Sequence, residues 1–103
     1  MDQVIIGVDT HKSNHIAVAI DAMGARLGST TVSATRKGYH DLEAWALQFG
    51  RVKAFGIEGT GSFGAGLSRH LLAEGHDVLD VMRPLRQLRY LHGKSDVLDA
   101  ESA

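Results

Sequence analysis

Four carboxylates carry the chemistry this sequence offers. Asp9 closes the apolar run Val4-Ile5-Ile6-Gly7-Val8, and Glu58 closes a second, Val52-Lys53-Ala54-Phe55-Gly56-Ile57. Asp96 and Asp99 stand three positions apart further on. A carboxylate at the end of a buried strand is costly to desolvate unless something pairs with it. The i, i+3 spacing puts Asp96 and Asp99 on one face of a helix. Hard oxygen donors without thiolates favour Mg²⁺, with Mn²⁺ as a substitute. Two such ions about 4 Å apart clamp the attacking and leaving oxygens of a phosphodiester. Each acid also has a plainer use: Asp9 in an Asx turn, Glu58 as a solvated strand end, the Asp pair at a helix N-terminus favoured by the dipole. The set is more persuasive than its members, because two of the four end strands that are expected to be neighbours.

The elements that must position these acids follow from apolar periodicity. Short β-branched runs predict strands over Val4–Asp9, His15–Ile20 and Arg26–Ser33, joined by short turns as a meander. Thr35 is a candidate N-cap for a helix with Leu42, Trp45, Ala46 and Phe49 on one face and Gly50 as its stop. Val52–Glu58 is a fourth strand. Gly59 to Gly66 is a glycine-rich turn into a second helix with Phe63, Leu67 and Leu71 on one face, ended by Gly75. Asp77–Val81 is a fifth strand, Pro84 opens a basic helical segment that Gly93 breaks, and Ser95 opens a last helix. The order β-β-β-α-β-α-β-α predicts an α/β fold, a mixed sheet with helices on both faces, which is the element order of the ribonuclease H-like fold. There the first and fourth strands run parallel side by side, so their C-terminal ends bring Asp9 and Glu58 to one edge.

Composition bounds the rest. The 103 residues suit one domain, and 44% hydrophobic with 22% charged residues is ordinary for a folded soluble chain. No apolar run reaches membrane-spanning length, and Asp2 followed directly by a strand does not resemble a signal peptide. The absence of cysteine rules out a disulfide framework and any thiolate metal site, and it fits a cytoplasmic location. A net charge of −1 does not announce nucleic-acid binding, but its distribution does more. Arg83, Arg86, Arg89 and Lys94 share one segment with no acid between them, a candidate phosphate-contacting surface or else a solvated face. His11 and Lys12 stand two and three positions after Asp9, ready to meet a phosphate or a water. The remaining histidines (His15, His40, His70, His76 and His92) show no ligand-spaced pair, and Trp45, Phe49 and Phe63 are expected in the core.

The sharpest competing signal is Gly59-Thr60-Gly61-Ser62-Phe63-Gly64, a G-x-G-x-x-G match between a strand and a helix, with Asp80 downstream. Against dinucleotide binding, three strands and a helix precede it, and Glu58 just before it would repel a pyrophosphate. A nucleotide-binding module of the actin and sugar-kinase type is a related alternative, though it has no need of Asp96 and Asp99. A non-catalytic assembly and RNA-binding domain is another.

Three blocks, Gly7-Val8-Asp9-Thr10-His11-Lys12, Gly56-Ile57-Glu58-Gly59-Thr60-Gly61 and Lys94-Ser95-Asp96-Val97-Leu98-Asp99-Ala100, resemble the acidic blocks of DEDD-type bacterial insertion-sequence transposases. That family comprises recombinases guided by a bridge RNA, with an N-terminal domain similar to the RuvC resolvase. The resemblance spans essentially the whole chain. It implies that Asp9, Glu58, Asp96 and Asp99 are catalytic metal ligands for Mg²⁺-dependent DNA cleavage and strand transfer. It also implies DNA, a structured guide RNA and further copies of the chain as partners, in the bacterial cytoplasm near the nucleoid. Family members add a C-terminal transposase domain with a nucleophilic serine. Residues 1–103 are therefore expected to be a RuvC-like domain cut short of that partner.

Overall fold

The run Val4-Ile5-Ile6-Gly7-Val8 lies at the centre of the molecule because its side chains are apolar on both sides of the pleat. A computed structural model describes residues 3–81, and in it this run forms β1 (Gln3–Thr10), whose residues from Val4 to Val8 are all buried. β2 (Asn14–Asp21) and β3 (Arg26–Ser33) continue as an antiparallel meander. β4 (Arg51–Ile57) returns parallel to β1, and β5 (Val78–Asp80) lies parallel to β4. The sheet order is β3-β2-β1-β4-β5. This is the mixed sheet of the ribonuclease H-like fold, as the element order predicts.

The helix α1 (Arg36–Leu47) starts where expected: the Thr35 hydroxyl accepts the Gly38 N–H at 3.1 Å. Gly38 is required there because a Cβ would overlap the Ser33 carbonyl. α2 (Ala65–Ala73) follows the glycine-rich turn and has no side-chain cap at Gly64. Both helices pack on one face of the sheet, where Leu42 and Ala46 of α1 and Leu67 and Leu71 of α2 bury Val4, Ile6, Val8, Phe55 and Ile57. A bulge in β4 skips Lys53, pairing Val4 with Val52 but Ile5 with Ala54. The extra residue restores phase, so that Val52, Phe55 and Ile57 share the helix-side face despite their uneven spacing.

Two expectations change. Phe63 is not core; it is 55% exposed, because the turn is closed by backbone bonds from Ser62 and Gly64 to the Gly59 carbonyl. α2 begins only at Ala65, which leaves Phe63 off the face of Leu67 and Leu71. Phe49 is not helical either, since α1 ends at Leu47, but it still packs on the core edge-on against Trp45, with centroids 4.9 Å apart. The basic segment and the last helix expected beyond Pro84 lie outside the described residues, so the described share of the expected helix layers is the α1–α2 layer. Among the described residues no helix is long and apolar enough to cross a membrane.

Candidate functional site

Parallel pairing in register decides where the acids go. Val8 lies beside Ile57, and the ladder ends with the Glu58 N–H donating to the Val8 carbonyl at 3.1 Å. The next position on each strand is an acid. Val8 and Ile57 both point into the helix-side core, so the pleat turns Asp9 and Glu58 together toward the opposite face. Glu58 is fixed a second time by the Thr10 hydroxyl, which donates to its carbonyl at 2.7 Å.

The electrostatics match this crowding. Partial burial, then a hydrogen bond and charge repulsion from Asp9, push the Glu58 carboxyl above the ordinary range, with His11 pulling weakly the other way. His11 Nε2 lies 3.3 Å from Asp9 Oδ2, with both side chains about half exposed. Lys12 is exposed on the same turn. The turn itself is anchored from below by His15, which is fully buried on β2 and whose Nδ1 accepts the His11 N–H at 3.4 Å. Burial holds the His15 pKa below its usual value, and among the described residues its Nε2 has no hydrogen-bond partner. A buried neutral imidazole of this kind supports the turn rather than titrating in it.

The glycine-rich segment that follows is a packed turn. Gly59 has φ +79, and a Cβ there would sit 3.0 Å from both the Thr10 and Ser62 hydroxyls. A Cβ on Gly64 would meet the Gly59 carbonyl and Ile57 Cγ2 at 2.9 Å. Two of the three motif glycines thus answer to protein contacts at the acid edge. The dinucleotide fingerprint also uses its first glycine for a tight turn and its third for close packing, so the second, Gly61, is the position that distinguishes the two readings.

Of the expected site residues, the structure brings Asp9 and Glu58 together, with Lys12 nearby. Asp96, Asp99, Arg83, Arg86, Arg89 and Lys94 lie outside the described residues. Sequence reasoning missed a second cluster, in which His70 and His76 each lie 2.8 Å from one oxygen of Glu43, with His40 near by. No two of these histidines are ligand-spaced along the chain; the fold brings them to one carboxylate. The available signal was His40 and Glu43 at i, i+3 on an amphipathic helix; the other two partners are 27 and 33 residues away. Burial raises the Glu43 carboxyl, but bonds and charge from His70 and His76 more than offset it, and the net is below the ordinary range.

Comparison with solved structures finds the large terminase nuclease from thermophilic phage G20c, with a TM-score of 0.60 and 15% identity. The match covers 90% of this chain and 55% of the nuclease chain, so the likeness is one of fold. No curated protein matches the chain. A family of transposases, the DEDD type of the IS110 group, matches residues 6–103. With that match running over nearly all of its length and through all three acidic blocks, the chain belongs to the IS110 group of DEDD transposases.

Proposed function

We propose that the Asp9–Glu58 edge is half of a divalent-cation centre in a DNA-cleaving transposase, with Asp96 and Asp99 supplying the other carboxylates. The observation that carries this is the meeting of two acids from adjacent parallel strands at their C-terminal ends, with the Glu58 carboxyl raised by burial and then by its neighbour Asp9. Crowded like charges among oxygen donors, with no thiolate at hand, fit a hard cation such as Mg²⁺ or Mn²⁺. A bound ion would supply electrostatic stabilisation of the oxygens of a DNA phosphodiester. The chain's own residues do the positioning. Thr10 and the β1–β4 ladder hold Glu58 in place, and His11 orients the Asp9 carboxylate. Lys12, Arg83, Arg86, Arg89 and Lys94 are the residues this reading assigns to the phosphates of DNA and of a guide RNA. Strand transfer then takes place in an assembly of several copies in the bacterial cytoplasm.

The test is thermal melting with and without Mg²⁺ or Mn²⁺, together with Mn²⁺-induced broadening of backbone amide signals. The expected result is a higher melting temperature with metal and broadening centred on Thr10 and Gly59. Asp9→Asn should abolish both. Unchanged melting and no local broadening in the wild type would remove the proposal.

A further inference from the structure

On the helix side of the sheet, away from Asp9 and Glu58, side chains from three distant stretches converge on Glu43. That carboxylate is on α1 and only 16% exposed. His40 precedes it by one turn, His70 comes from α2, and His76 from the turn into β5. His70 Nε2 lies 2.8 Å from Glu43 Oε1, and His76 Nε2 lies 2.8 Å from Oε2. His40 Nδ1 approaches the same Oε1 at 3.7 Å, too far for a hydrogen bond. The donor atoms of His40, Glu43 and His70 all lie within 4.8 Å of one another.

Hydrogen bonding alone accounts for His70 and His76, since each donates to a separate oxygen of a buried carboxylate. It does not account for His40, which packs edge-on against the His70 ring at 4.7 Å and approaches an oxygen already bonded. A tetrahedral cation with bonds of about 2.0–2.2 Å needs donors roughly 3.4 Å apart. Against Glu43, His70 would withdraw by about half an ångström and His40 advance by slightly less; the two histidine donors, within 4.8 Å of each other, would close by up to about 1.4 Å, and the His70 proton would move from Nε2 to Nδ1. The His40 side chain is 58% exposed and has room to move. A groove of about 540 Å³, lined by Arg36, Tyr39, His40, Arg69, His70 and Glu74, opens beside the two histidines, while Glu43 lies behind them, outside its lining.

We propose that His40, Glu43 and His70 bind one borderline divalent cation of the Zn²⁺ class. His76, on the second Glu43 oxygen, is the positioning residue that orients the carboxylate. Two imidazoles and one carboxylate select against Mg²⁺ and for Zn²⁺ or Co²⁺. The ion acts as a clasp joining α1 and α2, and the turn into β5 is tied to it through the His76–Glu43 bond. It differs from the acid edge in face and donor type, and it stands whether or not that edge binds Mg²⁺.

The experiment is Co²⁺ titration of the chain followed by visible absorption, with Zn²⁺ as the displacing ion and circular dichroism to check folding. Wild type and the double variant Asp9→Asn/Glu58→Gln should both develop the intense d–d bands of a tetrahedral site. His40→Ala, at an exposed position that spares the core, should lose them. His76→Ala should keep the bands with affinity weaker by about tenfold. Bands that survive His40→Ala, bands that vanish only in the Asp9/Glu58 variant, or no bands in the wild type would each overturn the proposal.

Discussion

The Thr10 hydroxyl and the Glu58 carbonyl, 48 positions apart in sequence, meet at 2.7 Å across the end of the β1–β4 ladder. This bond holds the backbone of one acid against the strand that carries the other. Thr10→Val keeps the shape and removes the donor, which should cost about 1 kcal/mol. For a domain of this size that is a fall in melting temperature of roughly 4–8 °C. The melting gain with Mg²⁺ should shrink as well, because Glu58 loses one of its two backbone anchors. Thr10→Ser, which retains the hydroxyl, should restore most of both, and melting of the three proteins in parallel checks it.

Glu58 makes stability depend on pH in a direction opposite to most carboxylates. Its folded pKa is raised, so the folded state binds the proton more tightly than the unfolded chain. Stability from this group is full below the unfolded value and is lost as pH rises through that value to the raised one. Asp9→Asn removes the repelling charge. At neutral pH and without metal it should raise stability by about 0.5 kcal/mol, small because both side chains reach solvent. Urea denaturation between about pH 4 and 7 should show the wild-type loss reduced in the variant, with the part due to burial remaining.

Glu43 works in the other sense. Its folded pKa is lowered, so its contribution is present above the unfolded value and is lost as pH falls through the folded one. Glu43→Gln keeps the size but cannot accept from both His70 and His76. The expected cost is about 1–3 kcal/mol near neutrality. The variant should lose less stability on acidification than the wild type, as read from urea midpoints at each pH.

Strands, the Thr35 cap and the pairing of Asp9 with Glu58 were legible in the sequence because they depend on local signals. β-branched runs mark the buried strands, and topology rules then fix which of them are neighbours. The skip at Lys53 was not legible, because a bulge leaves the apolar count intact and shifts only the phase. Phe63 misled because a helical period continued backwards into a turn whose backbone bonds had already settled its course. The Glu43 cluster was hidden for a different reason. Its members come from α1, α2 and a turn, and only the packing of the two helices on one face of the sheet brings them together.

The glycine-rich turn offers a way to separate its two readings by substitution. A Cβ on Gly61 would meet nothing within 4 Å, and its φ lies outside the left-handed region, so Gly61→Ala should fold normally. Reduced freedom of the unfolded chain should make it more stable by about 0.5 kcal/mol. Gly64→Ala would push a methyl into the Gly59 carbonyl and Ile57. It should lose about 1–3 kcal/mol through overpacking. A pyrophosphate cradle adds sensitivity at Gly61, since the second glycine of that fingerprint is where the backbone approaches the ligand, and shares the packing demand at Gly64. If the turn serves the acid edge, Gly61→Ala keeps the full melting gain with Mg²⁺ and Gly64→Ala loses much of it, because the displaced turn follows directly on Glu58. If Gly61→Ala instead abolished a saturable NAD or ATP binding seen in the wild type, the turn would be a nucleotide site, and its packing against Thr10 and Ile57 would serve that ligand rather than the acids.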